Sequence, residues 1–585
     1  MILVPKERID EYVRQGWWGD RTLGDLFLDT VQRIPQALAV VDAPNRQAIT
    51  GEPPQRWTWW QLQMQVGQYA AFLHRQGLRK DDVLVMQLPN CVEMHAIYLA
   101  CAISGIVVSP VPVQYRAHEL LHVLDMTGAR LAITTARVGH YAQAAQWSSL
   151  RAQRPALKQV WALGDATAAE ETHDISALLP ELAATPAWDA AQLHAHMQAI
   201  SVSAHDVVTI CWTSGTEAQP KGVPRNHNEW MIVGQSVIEA GQLQPGAQLL
   251  IPFPFVNMAG VSTSLVAWLM VGGTLHHHHP FDIEVFIEQL RRDPMDYTVA
   301  APAVLSMLLK SPEKLEGVDL SRLHRLGSGG GPLAEWLVEQ CHTQFGIEVV
   351  NYFGSNEGAA LSSTPQDVPD RRQRARYFPR VGVPGYSWSL SNARKIQTRL
   401  VNLDDETDIT EPGQVGELRF KGPTIFSGYY RAPELTTRAF DAQGFYRTGD
   451  LFEIAGERNE FYLFAGRHKD IVVRGGMNIS SEEVESLLLS FSKVREAAVI
   501  GWPDDVLGER VCAVVVPQQP GQTIELAELV EHLRRVEQVA AFKLPERIAV
   551  LDVLPRNPVG KVLKRVLRDQ LIANTQAAAA QGRTA

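Results

Sequence analysis

Residues 213–222 read TSGTEAQPKG, with hydroxyl residues and a glycine in succession, closed by Pro-Lys-Gly. Backbone N–H groups and hydroxyls of such a loop can wrap an anion while the lysine neutralises its charge. The spacing is not the GxxxxGK[ST] of a Walker A loop. Other segments offer compatible chemistry. RLGSGGGPL (325–333) is a glycine run after an apolar strand, open to close approach by a flat ligand. NYFGSNEG (351–358) sets an aromatic and a carboxylate at a strand end, and GFYRTGDL (444–451) presents an aspartate in a turn. LPRNPVGKVLKRVL (554–567) holds a lysine on a Pro/Gly loop. The run HHHH at 276–279 invites a metal reading. Adjacent residues of a strand face opposite ways, so at most two imidazoles share a face, and the run reads as the buried exit of a strand.

The elements that must carry these residues are of the α/β kind. Apolar runs such as DVLVMQL (82–88), GIVVSPV (105–111), RLAITT (130–135), DVVTICWT (206–213) and EAAVIGW (496–502) alternate with helical patterns. That alternation predicts parallel sheets. Near 411 the pattern changes to Gly-punctuated alternation typical of antiparallel hairpins. At 585 residues the chain exceeds a single core. The expected division is a large N-terminal domain over 1–468 with a β-rich, barrel-like subdomain over about 385–468. A small mobile α+β domain follows over 469–572, and a flexible tail over 573–585. The uncharged stretches 96–113 and 258–275 approach membrane length, but their glycines and prolines predict buried helix, turn and strand.

A formal net charge of −10 argues against a dedicated nucleic-acid binder. Five scattered cysteines without CxxC spacing predict a reducing compartment, neither a disulfide framework nor a zinc site. The first twenty residues carry acidic side chains and no long apolar core, unlike a signal peptide. The expected location is the cytoplasm, with no integral membrane span.

Taken together and in this order, the quoted segments resemble the adenylate-forming superfamily of acyl- and aryl-CoA synthetases, carrier-protein-loading adenylation domains and beetle luciferases. Bacterial acyl-CoA synthetases are the nearest in pattern. The resemblance implies that Thr213, Ser214, Gly215, Thr216 and Lys221 handle the β- and γ-phosphates of ATP. The family usually has Thr-Gly where this chain has Glu217-Ala218. The resemblance places Glu357, with Thr216, on the magnesium side of ATP. It gives Phe353 and the neighbouring Gly354 to the adenine, with Gly329, Gly330 and Gly331 along the other edge. Asn356 stands where a threonine usually contacts the α-phosphate. Asp450 and Arg467 match the ribose contacts, and Lys469 the hinge between two domain arrangements. Lys561 matches the lysine that bridges the carboxylate and the α-phosphate during adenylation. Gly475 and Gly476 match a Gly-Gly strand lining a tunnel for a pantetheine thiol. The implied cofactors are ATP, Mg²⁺ and CoA, or the phosphopantetheine of a carrier protein.

The segment IPFPFVNMAG (251–260) matches the border of the acid pocket, giving Phe255, Asn257 and Met258 as its candidates. No aspartate is placed to pair with an α-ammonium, which disfavours amino acids. GWWGDRTLGDLF and GRHKDIVVRGGMNISSEEVESLL are similar to acyl-CoA synthetases for medium-chain or alicyclic acids. VPRNHNEW (223–230) is similar to aryl-acid adenylating enzymes. The expected activity is acyl-AMP formation followed by thioester formation with CoA. An aryl-acid AMP ligase loading an acyl or aryl carrier protein, and a catalytically silent nucleotide-binding relative, are the alternatives.

Overall fold

A computed structural model describes residues 1–165, 175–213, 219–329, 333, 335–403, 405–467, 471–555, 562 and 564–580. The chain forms two compact units. One is built from Met1–Val113, Val123–Thr213 and Lys221–Gly466. The other is built mainly from Arg467 onward, with Gln114–His122.

The first unit holds two large, mostly parallel sheets. In the eight-stranded sheet the order runs Ala360–Ser363, Glu348–Gly354, Arg325–Gly329, Tyr297–Val299, Gln248–Ile251, Thr274–His277, Leu38–Val41, Arg56–Thr58. Its two edge strands are antiparallel and the six between them parallel. The seven-stranded sheet centres on Val83–Met86 and Val107–Pro110 and ends in the antiparallel pair Val207–Thr213 and Lys221–Asn226. The helix Val92–Ser104 is apolar apart from Glu93, His95 and Ser104, and every residue of it is buried. A helix with that composition belongs inside, between layers. It stops at Gly105, whose φ of +62° closes the end.

The uncharged stretch from Met258 is helical, but not one α-helix. Met258–Val261 and Trp268–Val271 are α turns flanking a π-helical segment, Ser262–Ala267. The wider turn loosens the backbone ladder, and His95 Nε2, 3.1 Å away, donates to the Ser264 carbonyl. Among the described residues no helix is long and apolar enough to cross a membrane.

A third, antiparallel sheet of the first unit orders Tyr377–Pro379, Phe461–Arg467, Tyr446–Ala455, Val415–Lys421 and Gln397–Val401. Its face is lined by Phe378, Leu418, Phe420, Phe452 and Tyr462, all buried. The second unit pairs Val494–Asp504 with Gly508–Pro517 in one long hairpin. Ile471–Arg474, Met477–Ser480 and Arg547–Val550 add to that sheet. The helices Ser481–Leu488 and Leu526–Arg535 close over it.

Candidate functional site

The antiparallel pair that ends the seven-stranded sheet brings Thr213 directly opposite Lys221. Thr213 and Lys221, which flank the segment 214–220, are therefore cross-strand neighbours. Ser214, Gly215 and Thr216 lie outside the described residues. Lys221 directs its ammonium over the ring of Tyr429, 4.9 Å from the centroid.

The strand Glu348–Gly354 leads into a tight turn. Gly358 N donates to Ser355 O at 3.0 Å, and Ser355 N donates to Ala359 O at 2.9 Å. Glu357 sits in this turn and is buried. Its backbone carbonyl accepts from Phe426 N at 2.9 Å, and its Oε1 accepts from the Tyr429 hydroxyl at 2.9 Å. The next residue has to be glycine. Gly358 has φ of +102°, and a Cβ there would lie 1.8 Å from Thr424 O and 2.6 Å from an Arg225 nitrogen.

Asn356 is held at both ends. Its backbone carbonyl accepts from Arg225 Nη1 at 3.0 Å, and its Oδ1 accepts from Met258 N at 2.6 Å. The acid-pocket candidates and the Glu357 turn are thus joined through one side chain. Arg225 is fully buried and lies 3.5 Å from Glu229. Burial pushes the Glu229 carboxyl up to about 7, against the pull of Arg225. A capping box fixes this pair on the chain. Glu229 N donates to Asn226 Oδ1 at 2.8 Å, while Asn226 N donates to Glu229 Oε2 at 2.9 Å.

Asp450 is buried and lies on the strand Tyr446–Ala455, not in a turn. The sequence suggests a turn because of Gly449, which takes φ of +71° where the pairing with Val415–Lys421 shifts register. The irregularity bends the strand without ending it. Asp450 N donates to Thr448 Oγ1 at 3.0 Å, and Gly449 N to Glu417 Oε1 at 2.9 Å. Arg467 closes the strand Phe461–Arg467.

Phe353 is half-buried, edge-on to Phe452 at 5.2 Å and stacked at 6.3 Å with Phe420. Its ring therefore serves the antiparallel sheet as well as any ligand. Gly329 ends its strand where a Cβ would stand 2.4 Å from Tyr352 O, whereas Gly354 has ordinary clearance. Phe255 is fully buried between the rings of His95 and His277, at 4.9 and 5.4 Å, so it packs the core. Asn257 caps the turn Met258–Val261 by accepting from Gly260 N at 3.2 Å, and Met258 is buried. Gly475 and Gly476 are not in a strand. They form the two-residue turn between Ile471–Arg474 and Met477–Ser480, with φ of +54° and +82°. Two successive positive φ values are what the tightest hairpin turn demands, and glycine supplies them. Gly330, Gly331, Lys469 and Lys561 lie outside the described residues.

The histidine run leaves the strand Thr274–His277 and is buried throughout. Gln289 Oε1 receives His278 at 2.7 Å, and His276 pairs with Gln248 at 2.9 Å. Among the described residues no group of His, Cys, Asp or Glu is arranged to hold a metal ion. All five cysteines are buried and unpaired.

Tyr429, Arg225 and the Asn356–Met258 link escape a reading of motifs. Tyr429 lies in SGYYRAPE, where its side-chain direction is set only by the fold.

The family model described as AMP-binding enzyme matches residues 30–430, and that described as AMP-binding enzyme C-terminal domain matches 483–561. The chain is 29% identical over 567 residues to the medium-chain fatty-acid–CoA ligase of Escherichia coli (strain K12), covering 97% of this chain and 93% of that protein. It is 28% identical over 578 residues to the pyochelin synthase PchD of Pseudomonas aeruginosa (strain UCBPP-PA14), covering 98% and 97%. Among solved structures, the amide bond synthetase McbA of Marinactinospora thermotolerans shares the fold with a TM-score of 0.75 at 22% identity, over 94% of this chain and 99% of that one.

Proposed function

From the premise that the chain belongs to the AMP-binding enzyme family, we propose that it joins a carboxylic acid to AMP and then passes the acyl group to the thiol of CoA. One observation carries this reading: the Lys221 ammonium and the Glu357 carboxylate meet on a single tyrosine, Tyr429, beside Asn356. An ammonium for phosphate and a carboxylate for a hard cation are the two charges that handling of a metal nucleotide needs.

In the first half-reaction a carboxylate oxygen attacks the α-phosphorus of ATP, the bond to the bridging oxygen breaks, and pyrophosphate leaves. No general base is required, because the acid is ionised at neutral pH. Lys221, with Thr213, Ser214, Gly215 and Thr216, would neutralise and wrap the departing phosphates. Lys561 would bridge the carboxylate and the α-phosphate, where negative charge crowds in the transition state. Asp450 and Arg467 would hold the ribose, and Phe353, Gly354, Gly329, Gly330 and Gly331 would border the adenine.

The Glu357 carboxylate fits Mg²⁺, being hard oxygen with Oε1 oriented by Tyr429, and Thr216 would be its companion. The ion supplies neutralisation of phosphate charge when bound. In the second half-reaction a thiol attacks the acyl carbon and AMP departs. Lys469 would be the hinge between the two halves, and the Gly475-Gly476 turn would lie along the thiol's path.

Met258 is buried in the apolar cluster that includes Phe255 and Trp268, which supports an apolar acid of the medium-chain, alicyclic or aromatic kind. The E. coli relative, a medium-chain fatty-acid–CoA ligase by name, supports CoA as acceptor. A second reading has its own support. Pro224-Arg225-Asn226-His227, with Arg225 seated on Asn356, belongs to the segment that resembles aryl-acid adenylating enzymes. In that reading a carrier-protein phosphopantetheine takes the acyl group. Buried, unpaired thiols suit a reducing, cytoplasmic location.

The test is incubation of the purified protein with ATP, Mg²⁺ and fatty, alicyclic and aromatic acids, with and without CoA, with products identified by mass. A CoA thioester of one acid class bears out the ligase. Acyl-AMP that accumulates and ignores CoA moves the acceptor to a carrier protein. No adenylate from any acid, with ATP bound, indicates the catalytically silent relative.

A further inference from the structure

We propose that Tyr429 is a positioning residue that holds Glu357 and Lys221 in one arrangement and so sets the affinity of the site for a divalent metal–nucleotide complex. The proposal rests on the adenylate-forming reading above.

Tyr429 meets the two charges with different parts of its side chain. The π-face takes the Lys221 ammonium at 4.9 Å, an attraction between a cation and the ring quadrupole. The hydroxyl donates to Glu357 Oε1 at 2.9 Å. That donation ends on an acceptor that is charged, the stronger kind of hydrogen bond.

The support for Tyr429 does not depend on its hydroxyl. Tyr429 N donates to Thr436 Oγ1 at 2.9 Å, and its ring packs edge-on against Phe426 at 4.9 Å. Phe426 packs edge-on against Tyr446 as well, at 5.5 Å. The turn that carries Phe426 is held from the amino-terminal segment. Trp18 Nε1 donates to Pro423 O at 3.2 Å and Arg8 Nη2 to Ile425 O at 3.3 Å. Removing only the hydroxyl therefore leaves the scaffold in place and frees the carboxylate to rotate. Loss of such an outer-sphere partner commonly weakens metal binding about 10- to 100-fold.

The test uses the full chain as wild type, Tyr429→Phe and Tyr429→Leu. Mn²⁺ binding in the presence of a non-hydrolysable ATP analogue is followed by electron paramagnetic resonance. The Mg²⁺ concentration for half-maximal acid-dependent ATP–pyrophosphate exchange is measured alongside. Tyr429→Phe is expected to weaken Mn²⁺ about tenfold and to raise the Mg²⁺ requirement equally, with the acid KM unchanged. Tyr429→Leu should additionally weaken the analogue itself, because Lys221 loses its aromatic seat. Should Tyr429→Leu fail to fold, Tyr429→Phe decides alone. Mn²⁺ bound as tightly by Tyr429→Phe as by wild type overturns the proposal, as does an acid KM that rises in step with the metal requirement. Wild type that binds the metal nucleotide without exchanging pyrophosphate sinks the adenylate reading, and the Mn²⁺ comparison still decides the tyrosine. Wild type that binds no metal nucleotide overturns both.

Discussion

Glu357 and His277 are both buried polar residues of the first unit, yet their surroundings are finished differently. Around Glu357 a charge is aimed by donors, with Tyr429 on Oε1, Phe426 N on the backbone carbonyl, and Arg225 and Met258 N on the adjoining Asn356, although Ser355 Oγ and Arg225 Nε have no hydrogen-bond partner among the described residues. Around His277 no charge is aimed. Both of its ring nitrogens, Nδ1 of His95 and Oγ of Ser264 have no hydrogen-bond partner among the described residues. Burial holds His277 well below the usual imidazole range and brings His95 down to about 4. These neutral rings act as aromatic filling, with His95 packed edge-on to Trp268 at 4.7 Å and 4.9 Å from His277. Burial of polar atoms thus does not by itself mark a site. In the proposed function the charge that matters is one aimed by donors, the Glu357 carboxylate.

Four substitutions or conditions break or sharpen this contrast. The largest effect is expected from Glu357→Gln. It keeps the shape and removes the charge, and it should cut pyrophosphate exchange about 100- to 1,000-fold, the scale for losing one preorganised electrostatic contact. Its thermal unfolding should resemble that of wild type. Next, Asn356→Ala takes the acceptor from Met258 N. An acid KM raised about tenfold, with a smaller change in the Mg²⁺ requirement, is the expected signature of a lost buried hydrogen bond on the acid side. A change confined to the metal requirement would detach Asn356 from the acid.

His277→Leu should leave exchange within about twofold and raise the unfolding free energy by up to about 1–3 kcal/mol, since it removes unpaired buried polar atoms. A tenfold loss of exchange in this variant would put the histidine cluster in the site and erase the contrast. The smallest effect is a slope. His95, His227 and His279 have folded values of about 4 against the ordinary 6.5. Between those values the unfolded chain binds more protons, so their stabilisation is whole above pH 6.5 and is lost as pH falls toward 4. His276 and His277 add in the same direction. Asp42 and Glu229, raised to about 7, work the other way but are fewer. The unfolding midpoint should therefore climb from pH 4.5 to 6.5, and His277→Leu should flatten the climb.

The α/β class and the change to antiparallel hairpins are legible in the sequence because periodicity reports which face of a chain is buried. The histidine run is legible for the same reason. Local geometry is not. Gly475-Gly476 looks like part of a strand, but paired positive φ values make it the turn, and composition carries no sign of φ. Asp450 looks like a turn residue, but Gly449 spends its freedom on a bulge inside a strand. Thr213, Lys221 and Glu357 stand out because charged or hydroxyl residues sit among apolar ones at strand ends. Tyr429 and Arg225 do not, because their roles depend on partners more than 70 and 130 residues away, Glu357 and Asn356. Long-range side-chain pairing leaves no local periodicity to read.

The central claim is that Glu357 and its partners serve adenylate formation. The most direct measurement is acid-dependent exchange of labelled pyrophosphate into ATP, run with wild type and Glu357→Gln at saturating Mg²⁺ without CoA. The account predicts exchange that requires both an acid and the metal in wild type, and its near-complete loss in the folded variant. Equal exchange by the two proteins, or exchange indifferent to the acid, would contradict it.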